Sequence, residues 1–133
     1  MTITVRRDTA YPMRHIVTVR NHDLVVDGTI AEGGDDAGPS AHDLYDAALG
    51  TCKALTVVWY ARRKNIPLEG LEVSVDRDDS KEREGIYKLD TTLRLSGPLT
   101  DAQRTELLNV AGKCPVHKLM TTATTEVSTR LAG

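Results

Sequence analysis

The rhythm of polar and apolar positions changes several times along the chain, and each change marks an element. "TITVRRD" sets Ile3 and Val5 on one side, as a short strand does. "RHIVTVRN" puts His15, Val17 and Val19 on one face and Arg14, Ile16, Thr18 and Arg20 on the other. "HDLVVDG" follows at once, with Asn21 and His22 as the expected turn. Together these segments predict an N-terminal antiparallel meander of three strands. "AEGGDDAGPS" has no apolar rhythm and reads as a glycine- and aspartate-rich loop.

A long helix is expected from Ser40 to Lys64. The Ser40 hydroxyl can accept from the backbone at Asp43, a capping-box spacing with aspartate in the glutamate position. From Leu44 to Ala61 the helix is apolar almost all round: Leu44, Ala47, Ala48, Leu49, Cys52, Ala54, Leu55, Val57, Val58 and Trp59, with Lys53 the main exception. "ARRKNIP" ends it, placing basic residues at the negative end of the helix dipole and Pro67 beyond the stop.

"LEVSVD" alternates Leu71, Val73 and Val75 against Glu72, Ser74 and Asp76, and "YKLDTTLRLSG" alternates without a fault from Tyr87 to Ser96. The two predict a half-buried antiparallel hairpin. Thr100 caps a second helix, with Gln103 at the reciprocal position and Leu107, Leu108 and Ala111 facing inward. Gly112 breaks that helix, "CPVHKLM" starts a short third one, and "TTEVSTRLA" reads as a last alternating strand. Strands adjacent in sequence and few helices point to an α+β fold, one domain over residues 1–133. One small sheet cannot enclose a helix that is apolar on every side. The pattern therefore predicts an intertwined homodimer, with long central helices between antiparallel sheets.

Composition narrows the function. A net charge of −2, scarce aromatics and no G-x-x-G loop argue against nucleic acid as a partner. The core must be built from leucine, valine, isoleucine and alanine, since phenylalanine is absent. No apolar run is long enough to cross a bilayer and no signal peptide is legible, so a cytoplasmic protein is expected. "EGGDDAG" carries three acids where a phosphate would need donors.

The chemistry then rests on the chain's two cysteines. Cys52 lies on the apolar stripe of the long helix, where a free cysteine often serves as a small hydrophobe. Cys114 precedes Pro115, a residue favoured at the first position of a helix, so Cys114 takes the cap site. Free N–H groups there, and the cation of Lys113, favour a thiolate. By this reading Cys114 is the more activated thiol. Two alternatives stay open. Cys114 and His117 form half of a zinc signature, with Cys52 and His15 or His42 as further ligands. His117 also shares a helix face with Cys114 and could act as its base.

"GPSAHDLYDAALGTCKALTVVWYARRKNIPLEGLEVSV" resembles the core of the OsmC/Ohr family, the osmotically induced and organic hydroperoxide resistance proteins. Leu44, Ala47, Ala48 and Cys52 fit its first motif, although Pro39 stands further back than that motif expects. "KCPVHKL" resembles the second motif, and "LSGPLTDAQRTELLNVAGKCPVH" is similar to an OsmC-like subgroup that ends this motif in histidine. The resemblance implies an intertwined α+β dimer that reduces organic hydroperoxides. Cys52 would attack the peroxide and become a sulfenic acid, and Cys114 would resolve it as a disulfide. No cofactor is bound; an external dithiol such as dihydrolipoamide restores the thiols. That order reverses the ranking drawn from the residues alone. The resemblance also implies an arginine held by a carboxylate beside the first thiol, reaching it across the dimer. Arg14 is the expected arginine, with Arg20 second. Where the family commonly has glutamate this chain has His42, so the neighbouring Asp43 is the expected carboxylate.

Overall fold

A computed structural model describes residues 1–133. Its elements run β1 (Ile3–Arg7), β2 (His15–Val19), β3 (His22–Val26), α1 (Ala41–Arg63), β4 (Gly70–Asp78), β5 (Lys88–Ser96), α2 (Asp101–Ala111) and α3 (Pro115–Thr121). They form a three-stranded sheet in the order β1-β2-β3 and a two-stranded sheet, β4-β5, both antiparallel. This is the mixed architecture the periodicities predict. By its contacts the chain divides into two compact units, Met1–Tyr45 and Asp46–Gly133. No helix is long and apolar enough to cross a membrane.

In the first unit the register pairs Val19 with His22, so the turn is Arg20–Asn21, one residue earlier than expected. Two-residue hairpin turns that match the strand twist need a positive φ, and Arg20 takes it at 54°. The acidic loop has an internal organisation that its composition hides. The buried Asp27 carboxylate accepts from the backbone N–H of Gly28, Asp35 and Ala37. A Cβ on Gly34 would fall 2.1 Å from the Gly28 carbonyl oxygen, so only glycine lets the loop fold back this tightly. Ser40 and Asp43 close the expected reciprocal cap on α1.

In the second unit α1 buries a stripe of Asp46, Leu49, Gly50, Lys53, Val57 and Ala61. Gly50 permits close approach to the hairpin, because a Cβ there would meet Val75 Cγ2 at 2.9 Å. Asn65, in the left-handed conformation at φ 52°, follows the last turn of α1, and Ile66 then enters the core. Val57, Ala61, Ile66, Leu107 and Ala111 form that core, with Leu71, Leu93 and Leu95 of the hairpin packed against it. Thr100 and Gln103 make the predicted capping box of α2. The other side of α1 stays open: Leu55 is 67% exposed and Trp59 60%.

The last predicted strand is absent. Residues 123–133 carry no strand despite the alternation of "TTEVSTRLA", and Val127 and Leu131 are 82% and 96% exposed. Two large apolar side chains with no neighbouring strand to complete a ladder do not repay the cost of ordering the backbone.

Leu107 is fully buried where α2 meets α1. Leu107→Ala should destabilise the fold by about 2–5 kcal/mol in urea titrations. A loss below about 0.5 kcal/mol, the level of a surface change, would contradict this core.

Candidate functional site

Cys52 and Lys53 are consecutive on α1, so their side chains leave the helix about 100° apart. Cys52 is half-buried. Lys53 turns onto the buried stripe and is only 3% exposed. Its Nζ donates to the carbonyl oxygen of Ala111 at 3.0 Å and meets Nδ1 of His117 at 3.0 Å. Ala111 is the last residue of α2, and His117 is the third of α3. Between them, three residues from each, lies Cys114, fully buried at the cap position of α3 with Pro115 at its first turn. One residue of α1 thus holds both flanks of the corner that carries the second thiol, and that residue follows the first thiol. Both cysteines are free.

Three readings of this corner meet the structure here. Lys113, the cation next to Cys114 in sequence, is exposed, and a second, buried lysine of the corner is Lys53. His117 presents Nδ1 to that ammonium. Opposite a lysine ammonium, which can only donate, that nitrogen is the acceptor and is not free to take the Cys114 proton as a base. Nor do three histidine, cysteine, aspartate or glutamate side chains gather as a zinc ion would need, so the zinc alternative has no ligand set.

A second polar cluster lies further along the same stripe. Asp46, buried on α1, accepts from Arg77 Nε of β4 at 2.5 Å and from the Tyr87 hydroxyl at 2.7 Å. Burial pushes the Tyr87 hydroxyl up to about 12, reinforced by its hydrogen bond to Asp46 and the charge of that carboxylate; Arg77 works the other way. The sequence reading missed Asp46, Lys53, Arg77 and Tyr87 as a group. One signal was available: Asp46 and Lys53 are seven apart and share a helix face with Leu49, Gly50 and Val57.

Arg14 and Asp43 belong to the first unit, Cys52 and Cys114 to the second. The β2–β3 register pairs His15 with Val26, so the next residues outward, Arg14 and Asp27, face each other. Arg14 Nε lies 3.9 Å from Asp27, its Nη2 3.9 Å from Asp35, and its guanidinium sits 3.5 Å over the Tyr11 ring. Within one chain Asp27 and Asp35 are the carboxylates beside Arg14, and an oxygen of Asp43 accepts the Ser40 N–H. Burial works to raise the Asp27 carboxyl, but three backbone donors and the Arg14 charge leave it below the ordinary aspartate value. Arg14 Nε itself is buried without a hydrogen bond. Arg20, the second choice, is taken up by the β2–β3 turn.

Asp46→Asn should lower the Tyr87 titration from about 12 while burial keeps it above the ordinary 10.0, read by ultraviolet difference spectroscopy. The folded chain holds this proton more tightly than the unfolded chain. Its contribution to stability is therefore whole below pH 10 and is lost as pH climbs towards 12. An unchanged phenol titration in Asp46→Asn would remove Asp46 from the cluster.

The fold and its sites can be set beside known proteins. No curated protein matches the chain. Among solved structures, an osmotic-stress-induced and detoxification-response candidate from Psychrobacter arcticus 273-4 superposes with a TM-score of 0.77 at 19% identity, over 92% of this chain and 89% of that one. The OsmC-like protein of Mycoplasma pneumoniae gives 0.73 at 16% identity, over 91% and 86%. The organic hydroperoxide resistance protein OhrB of Bacillus subtilis gives 0.60 at 22% identity, over 91% and 90%. At such identities these likenesses speak for the fold alone. The family model described as OsmC-like protein matches residues 33–130, a stretch that contains both thiols, Lys53 and His117. On that match the chain belongs to the OsmC family.

Proposed function

We propose that the chain is a thiol-dependent peroxidase that reduces organic hydroperoxides through Cys52 and Cys114. The observation that carries this reading is the pair of hydrogen bonds from Lys53 to Ala111 and His117, which joins α1 at the first thiol to the corner of the second. The Cys52 thiolate attacks the outer peroxide oxygen, the O–O bond breaks, and the alkoxide takes a proton and leaves as an alcohol. Cys52 is left as a sulfenic acid. Cys114 displaces its hydroxyl as water and closes a Cys52–Cys114 disulfide. An external dithiol of the dihydrolipoamide kind then exchanges with that disulfide and leaves oxidised, returning both thiols. No bound cofactor is required. A reducing compartment such as the cytoplasm suits two thiols that must return to the reduced state.

The reading includes a homodimer. Leu55, Val58 and Trp59 line an exposed apolar face of α1, and Ile3 and Val5 are exposed on β1. A face of this kind seeks cover. In the dimer, Arg14 of a second copy is the guanidinium that favours the Cys52 thiolate. The B. subtilis neighbour, named for organic hydroperoxide resistance, is in keeping with the substrate class.

A second reading has its own observation. His42 stands where glutamate is expected, and Arg14 is already neutralised by Asp27 and Asp35. An arginine so engaged serves a redox sensor or a binder of small apolar molecules as well as an enzyme. Turnover separates the two. With dihydrolipoamide as reductant, the peroxidase should consume cumene hydroperoxide, and Cys52→Ser should abolish consumption. One equivalent of hydroperoxide should leave an intrachain disulfide in the native chain and overoxidised Cys52 in Cys114→Ser, both visible by mass spectrometry. Equal consumption by the native chain and Cys52→Ser would overturn the peroxidase reading.

A further inference from the structure

Lys53 is a buried ammonium without a counter-charge. Its two partners, a backbone carbonyl and an imidazole nitrogen, are both neutral acceptors. A buried cation without a carboxylate is costly, and natural folds usually pair or discard it. This one is retained, bonded to residues three positions either side of a wholly buried thiol. The only group of the corner that can become an anion to meet it is Cys114 itself: Gly112 and Pro115 are uncharged, Lys113 is basic, and His117 faces Lys53 with a bare nitrogen. The hydrogen bonds also fix the corner mechanically. Ala111 and His117 lie on either side of Cys114, and both are tied to one Nζ.

We propose that Lys53, with His117, is a positioning residue for the second thiol. Lys53 holds the α2–α3 corner so that Cys114 faces the helix carrying Cys52, and its charge compensates the Cys114 thiolate when that sulfur attacks. The inference rests on the peroxidase reading of the same site and adds the group that governs its second half. In that step the Cys114 thiol gives up its proton and its sulfur attacks the sulfenyl sulfur of Cys52. The S–S bond forms as the S–O bond breaks, and the departing hydroxide takes up the released proton as water. Cys114 is oxidised and the sulfenic sulfur reduced by the electron pair that becomes the new bond; the oxidant is the organic hydroperoxide of the first step. Losing Lys53 slows this closure, so the sulfenic acid persists and is oxidised further.

The test uses the full chain with Lys53→Met, which keeps the length of the side chain and removes its charge and hydrogen bonds. After one equivalent of cumene hydroperoxide, the ratio of disulfide to overoxidised Cys52 should fall about tenfold by mass spectrometry, the usual effect of losing a hydrogen bond to a charged group. A ratio within about twofold of the native chain would overturn the inference. Should Lys53→Met not fold, imidazole 15N spectra of the native chain decide. His117 should show an unprotonated Nδ1 and a protonated Nε2, and a protonated Nδ1 would remove Lys53 as its donor. The two readings also fail separately. A native chain that never forms a sulfenic acid would sink the peroxidase reading. The rate of Cys114 with dithiodipyridine in Cys52→Ser, with and without Lys53→Met, would still judge Lys53: a slower thiol supports it and an equal rate rejects it.

Discussion

The second unit is organised by the need to satisfy a lysine ammonium inside a protein. Lys53 sits at the middle of α1 on the side that packs inward, so water cannot solvate it. Its hydrogens must find acceptors, and helix ends supply them. The last carbonyls of a helix have no partner within it, and Ala111 closes α2 with such a carbonyl. The chain then turns through Gly112 and Lys113 and restarts at Pro115, bringing His117 to the same ammonium. Hydrogen bonds to charged groups contribute about 1.5–3 kcal/mol each, whereas leaving a buried charge unpaired costs more than that. The corner cannot move away from α1 without incurring that cost, and Cys114 moves with the corner.

Asp46 repeats the principle with the opposite charge. Its carboxylate is buried one face-repeat before Lys53, and Arg77 and Tyr87 supply the donors from the two sides of the hairpin. Between these polar ties, Gly50 lets the helix approach Val75 closely, and Val57 and Ala61 enter the apolar core with Leu107. The stripe therefore carries two kinds of adhesion. Apolar burial supplies most of the stabilisation without regard to register, while the two charged residues admit one axial position of the helix.

How much of this was legible in the sequence follows from the range of each interaction. The hairpin from Leu71 to Ser96, the capping boxes at Ser40 and Thr100, and Cys114 as the cap before Pro115 all depend on residues a few positions apart, and periodicity reads them. The bonds of Lys53 join residues 58 and 64 positions apart, and those of Asp46 span 31 and 41. No local pattern encodes such pairs. Lys53 therefore looked like the polar relief of an apolar helix when it is among its most buried residues. The segment from Thr124 to Ala132 failed for the converse reason: its alternation is local, but a strand needs a neighbour that local pattern cannot provide. Arg14 was chosen by position alone. The carboxylates beside it within the chain, Asp27 and Asp35, come from a loop whose composition suggests only polarity.

The ranking of the two thiols turns on access as well as activation. By local sequence alone, the cap position before Pro115 ranks Cys114 as the better nucleophile. Yet Cys114 has no exposed surface, and a hydroperoxide arriving from solvent cannot reach it while the corner is closed. Cys52 keeps part of its surface open. In the proposed peroxidase, a sealed thiol is protected from the oxidant and available to an internal electrophile, which is what a resolving thiol requires. In the same proposal the open thiol meets the substrate first. Under the proposed function, the assignment drawn from family resemblance and the ranking drawn from local charge describe different steps of one sequence, with accessibility choosing the first sulfur.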